Sequence, residues 1–242
     1  MEKVINCFKR NPEAVARLIC FPWAGGGSLH YARWGNLLSS VEVFAVKLPG
    51  RESRTKEPFA QSMQQIVDEV IDVLLPLLKE KPFALFGHSF GAYTSFAVAD
   101  ALKKLHNLQP VHIFLSGVSA PYSEIRIKAP KRSDLSDDDF LKWLTSIGGT
   151  PPELLGNPEV MERFLPVLKA DLHVVENYRF FSAGVTNQTI HSCPALLRVL
   201  TERTTCLMIY KPGKTSHQEI SPLGCSTGLI STSRSLEMKN TS

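Results

Sequence analysis

The pentad Gly87-His88-Ser89-Phe90-Gly91 constrains what this chain can fold into more than any other feature. An apolar run, Pro82 to Phe86, precedes it, and an alanine-rich stretch from Gly91 to Leu105 follows it, so Ser89 falls at a strand-to-helix turn. A serine on such a turn sits on strained backbone, and flanking residues without a Cβ let the two segments close on each other. The following helix aims its amino terminus at the serine, where its dipole favours developing negative charge. One strand–turn–helix unit cannot bury its own apolar face, so the chain must supply neighbouring strands.

Those strands are legible. Arg17 to Pro22 and Val41 to Val46 are short apolar runs, the second closed by Pro49-Gly50, and Val111 to Ser116 is another. Between them, Ser28 to Leu38 has helical character. Met63 to Leu78 places Ile66, Val67, Val70, Ile71, Leu74 and Leu75 at the spacing of an amphipathic helix. The alternation predicts an α/β fold with a doubly wound, mostly parallel sheet, residues 1–242 forming a single domain. The pattern from Leu135 to Tyr178 turns helical, with a break at Gly148 to Pro152. That is too long for a simple crossover and reads as a helical lid, about residues 125–180, over the carboxyl ends of the strands.

A G-x-S-x-G turn in this setting is the nucleophile elbow of the α/β-hydrolase fold, which makes Ser89 the candidate nucleophile of an acyl hydrolase. In that fold one oxyanion donor is the amide following the nucleophile, here Phe90. The other comes from an early strand-end loop, here Phe21 to Gly27, with Ala24 the first choice and Trp23 the next. The glycine run has neither dinucleotide-binding spacing nor the Lys-Ser/Thr of a phosphate-binding loop.

Composition narrows the partners. Of 242 residues, 43% are hydrophobic and 21% charged, and the formal net charge of +4 is scattered, so a nucleic-acid interface is not expected. A mild positive balance suits an acidic partner. Met1 to Arg10 carries charges and no long apolar run, which argues against a secretory signal or transmembrane segment. Five cysteines without CxxC spacing argue against a disulfide framework and a zinc site and for a cytosolic setting, and neither cofactor nor metal is implied.

Three separated segments carry a more specific likeness. Cys20 to Ser28 (CFPWAGGGS), Leu48 to Arg54 (LPGRESR) and Phe86 to Gly91 (FGHSFG) resemble the type II thioesterases, most closely the animal branch that works with fatty acid synthase. Leu165 to Leu172 (LPVLKADL) is similar to that family's lid segment, and the likeness spans roughly residues 1–180. It implies hydrolysis of medium- to long-chain acyl thioesters on the acyl carrier protein of fatty acid synthase, through an acyl-serine intermediate and without a cofactor. Arg51 and Glu52 carry over as structural candidates near the mouth of the site. Phe140, Leu141, Trp143, Leu144, Phe164 and Leu165 are candidates for lining an acyl channel beneath the lid.

The family's acid and histidine stretches do not occur in this frame. His191 and His217 are the only histidines after the lid, and neither stands after a strand; His88 is a neighbour in the elbow and not the base. His30, His106, His112 and His173 fall outside the expected position. We read the tail, about residues 183–242, as a shifted reading frame that does not fold like the native end. Regrouping each codon's third base with the next codon's first two turns Val199 to Ser242 into a stop-free string, given suitable synonymous bases. It contains Gly-Lys-Asn-Asp, its Asp spanning Thr204 and Thr205, and Thr-His-Phe-Tyr-Leu, its His spanning Leu229 and Ile230. The chain as written is therefore expected to lack a general base, to leave the sheet unfinished and to be nearly inactive. A carboxylesterase or lipase on oxygen esters and a non-catalytic binder of the same fold remain the alternatives.

Overall fold

The structure, a computed structural model, describes residues 1–148, 150, 155–180, 190–192 and 207–210, the last two segments as backbone only. Its elements in chain order are strand β1 (Ile5–Asn6), β2 (Ala16–Phe21), helix α1 (Leu29–Ala32), β3 (Val41–Val46) and α2 (Met63–Glu80). Then follow β4 (Phe83–His88), α3 (Phe90–His106), β5 (His112–Ser116), α4 (Glu124–Lys128), α5 (Asp137–Ile147), α6 (Pro158–Asn177), β6 (Ile190–Ser192) and β7 (Leu207–Tyr210). They form one sheet of order β1-β3-β2-β4-β5-β7-β6.

The four inner strands β3, β2, β4 and β5 run parallel, and β1, β7 and β6 join antiparallel at the two edges. Ile19, Phe21, Phe44, Val46, Phe83 and Leu85 are buried on one face under α2 and α3. Cys20, Val43, Ala45 and Phe86 are buried on the other, under Tyr31 and Ala32 of α1. Burial on both faces explains why these strands read as continuous apolar runs and not as alternation. Arg17 and Glu42, opposite each other on β2 and β3, form a buried ion pair at 3.3 Å.

Three departures from the expected elements have local causes. The helix expected over Ser28 to Leu38 is one α-turn followed by a 3₁₀ turn, Arg33–Asn36. Gly35 falls inside it, and the tighter Leu37 N–H to Trp34 C=O bond holds the winding while the Trp34 ring packs edge-on against Phe86. Strand β1 arises from backbone pairing of Ile5 and Asn6 with Val46 and Ala45, not from any periodicity of its own. Where the sheet was expected to stop at β5, two short strands, β7 and β6, extend it. The Leu-Met-Ile-Tyr run of β7 pairs antiparallel with β5, from Ile113↔Tyr210 to Ser116↔Leu207. Apart from β6 and β7, the suspected shifted segment lies outside the described residues.

Candidate active site

Ser89 stands between β4 and α3 with φ 53° and ψ −118°, a conformation that only glycine adopts without strain. Its amide donates to the Ser116 carbonyl at 2.8 Å, which ties the turn to β5. The two flanking glycines are there because nothing larger fits. A Cβ on Gly87 would lie 2.0 Å from the Gly91 carbonyl oxygen, and one on Gly91 would lie 2.2 Å from the Phe21 oxygen and 2.7 Å from that of Pro22. The second contact has a functional consequence: it seats the loop leaving β2 against the first turn of α3.

That loop holds the other half of the site. Gly26 N–H donates to the Trp23 carbonyl at 2.9 Å, fixing the peptide plane between Trp23 and Ala24. Because a trans peptide directs its N–H opposite its C=O, the Ala24 N–H points away from that bond, and it donates to no group among the described residues. Phe90 is the first residue of α3, so its N–H has no carbonyl within the helix to reach. Ala24 is half-buried and packs between the sheet core and the α5–α6 core. The structure thus brings together the neighbourhoods of all three expected residues: a half-buried serine, the first amide of α3 and an amide of the loop leaving β2, both uncommitted among the described residues.

Around them lies a framework of which the sequence reading marked only part. Arg51 donates through both terminal nitrogens to the two oxygens of Asp171, each at 2.6 Å, and from Nη1 to the Gly26 carbonyl at 3.2 Å. Asp171 also accepts the Gly25 N–H at 2.8 Å. Glu52, held at φ 52°, accepts from the Ser28 N–H at 3.0 Å and from its hydroxyl at 2.9 Å. Arg51 and Glu52 therefore hold the loop between Gly25 and Ser28. Asp171 carried no individual expectation. Its signal was a lone acid at position 171 on the buried α6 stripe of Met161, Leu165, Leu168 and Val174.

His88 turns its ring over Gly117 and places Nδ1 3.1 Å from Ser116 Oγ. Burial holds its pKa below the ordinary imidazole value, so it stands there neutral. Ser89 Oγ makes no hydrogen bond among the described residues, and neither the acid nor the base expected from a re-framed tail falls within them. No three His, Cys, Asp or Glu side chains among the described residues gather closely enough to hold a metal ion. No helix among the described residues is long and apolar enough to cross a membrane. The six proposed channel residues divide: Phe140, Leu144 and Leu165 are buried between α5 and α6 as core, whereas Leu141, Trp143 and Phe164 are half-buried at its margin.

A strained serine between a central parallel strand and a helix, with a glycine-rich loop seated beside it, defines an α/β-hydrolase-type architecture. A family model described as a thioesterase domain matches residues 16–218. The rat protein named S-acyl fatty acid synthase thioesterase, medium chain, is 48% identical over 180 residues, covering 74% of this chain and 68% of the rat protein. The human protein of the same name is 40% identical over 193 residues, covering 79% and 72%. Among solved structures, the type II thioesterase BorB from the borrelidin biosynthetic cluster superposes with a TM-score of 0.64 at 27% identity, over 74% of this chain and 71% of BorB. The chain belongs to the thioesterase domain family.

Proposed function

We propose that this chain, with its tail re-framed, is a serine thioesterase that releases medium- to long-chain fatty acid from the acyl carrier protein of fatty acid synthase in the cytoplasm. The observation that carries the reading is Ser89, perched on the strained turn beside the uncommitted amides of Ala24 and Phe90. Ser89 Oγ attacks the thioester carbonyl carbon, its proton passing to a general base. The carbonyl oxygen gains negative charge that the two amides receive. The carbon–sulfur bond then breaks, the thiol leaves with the proton, and the acyl group remains on Ser89. Water attacks this ester with the same base taking its proton, and collapse returns the serine hydroxyl and frees the fatty acid.

The base and its orienting acid belong, in this reading, to the re-framed tail: the His spanning Leu229 and Ile230, and the Asp spanning Thr204 and Thr205. The relatives' names support fatty acid synthase as the partner, and the mild positive charge suits an acidic carrier protein as the substrate's bearer. The test is the release of free thiol from decanoyl-CoA by the chain as written and by its re-framed version. The re-framed version is expected to exceed the written one by several orders of magnitude, the usual consequence of supplying an absent triad member. Equal rates would overturn the tail assignment, and a Ser89→Ala variant of the re-framed chain with undiminished rate would overturn the nucleophile.

A further inference from the structure

The loop from Trp23 to Ser28 is held by side chains from two distant places, and the kind of holding points to a purpose. Arg51 and Asp171 are both more than nine-tenths buried, at 8% and 4% exposure, and lie 120 residues apart in the chain. A buried ion pair gains little stability, because removing two charges from water offsets most of their attraction. This pair carries a further penalty: Arg51 Nε is buried and finds no hydrogen-bond partner among the described residues. What the pair does achieve is geometric. Asp171 fixes the peptide plane between Ala24 and Gly25 by accepting the Gly25 N–H, and Arg51 fixes the next but one by donating to the Gly26 carbonyl. With the Gly26–Trp23 turn, the planes on both sides of Ala24 are pinned.

The same helix meets the loop by packing. A Cβ added to Gly25 would lie 2.7 Å from Phe164 and 3.5 Å from Leu168, so α6 rests directly on Gly25 at three successive turns, through Phe164, Leu168 and Asp171. We infer that Arg51 and Asp171 are positioning residues that aim the Ala24 amide at the reacting carbonyl and make the oxyanion loop move with α6. The inference rests on the reading of Ala24 as an oxyanion donor. Neither residue touches substrate; each acts through the loop backbone.

Two double variants of the re-framed full chain, which carries the general base, separate positioning from stability. R51M/D171L removes the charges together and fills the space with apolar side chains, a replacement that buried pairs commonly tolerate without loss of stability. R51M/D171N keeps an oxygen to accept the Gly25 N–H, with an NH2 in place of the second carboxylate oxygen. Two quantities are read: hydrogen exchange at the Gly25 amide by NMR, and the rate of Ser89 labelling by an alkyl fluorophosphonate, resolved into reagent binding and the covalent step. R51M/D171L is expected to exchange Gly25 at least about tenfold faster and to slow the covalent step on the order of 100-fold, with reagent binding unchanged, as removal of an oxyanion donor does elsewhere. R51M/D171N is expected to recover most of both.

Labelling that slows while Gly25 stays protected would overturn the inference, as would two variants that behave alike. Protection lost with labelling unchanged would overturn it too, by removing Ala24 from the oxyanion hole. A re-framed parent never labelled at Ser89 would instead fail the serine reading, and the exchange measurement would then decide the clamp by itself.

Discussion

Gly91→Ala is the single substitution from which most follows. The new Cβ would stand 2.2 Å from the Phe21 carbonyl oxygen and 2.7 Å from that of Pro22, where ordinary contact begins near 3.4 Å. Both obstacles are main-chain atoms at the end of a central strand, so no side chain can swing aside. The start of α3 and the end of β2 must part by roughly 1 Å, a gap that the surrounding close-packed core resists. Overpacking of this kind costs about 1–3 kcal/mol, and backbone obstacles put this case at the upper end, about 3 kcal/mol. For a domain of this size that lowers the melting temperature by about 6–12 °C. The same displacement moves the Ala24 amide relative to Phe90, and a misplacement of about 1 Å lowers a catalytic rate on the order of 100-fold. In the re-framed protein, circular dichroism melting gives the first quantity and fluorophosphonate labelling of Ser89 the second. A variant that melts with the parent and is labelled at the parent's rate would refute the contact and the convergence that depends on it.

Three further outcomes follow from the same geometry. Ser89→Gly relieves about 1–3 kcal/mol of backbone strain against about 0.4–1 kcal/mol of added unfolded-chain entropy, so it should melt higher than the parent while losing all labelling. Burial lowers the His88 pKa, so below about 6.5 the unfolded chain binds a proton that the folded chain refuses; stability from this group is complete above that pH and declines as pH falls through it. His88→Gln should flatten that part of the melting-temperature profile between neutral pH and pH of about 5. Phe140→Ala, at a fully buried position between α5 and α6, should destabilise the protein by about 3–5 kcal/mol in denaturant unfolding, whereas an acyl-lining role would predict a change in chain-length preference with stability kept.

What was legible in the sequence is what short-range chemistry dictates. The four inner strands announce themselves because burial on both faces demands unbroken apolar runs, and Ser89 because its turn demands Gly87 and Gly91. The framework round the loop from Trp23 to Ser28 was less legible. Arg51 and Glu52 stood out only through their setting in Pro49-Gly50-Arg51-Glu52, and Asp171 is joined to Arg51 by folding across 120 residues. A lone aspartate on an otherwise apolar helix stripe was the available signal, since a buried carboxylate needs a buried cation. Strand β1 had no signal to give: two residues paired through their backbones leave no pattern in side chains. The division of the channel candidates into core and margin likewise depends on how α5 meets α6, which helical spacing alone does not state.

The central claim is that the Ser89 hydroxyl takes up the acyl group, and covalent trapping tests it most directly. The re-framed protein, reacted with an alkyl fluorophosphonate and digested, should carry a single adduct on the peptide containing Ser89, and its Ser89→Ala variant none. An adduct on another residue, or thioester hydrolysis that persists in a protein never modified at Ser89, would contradict the account.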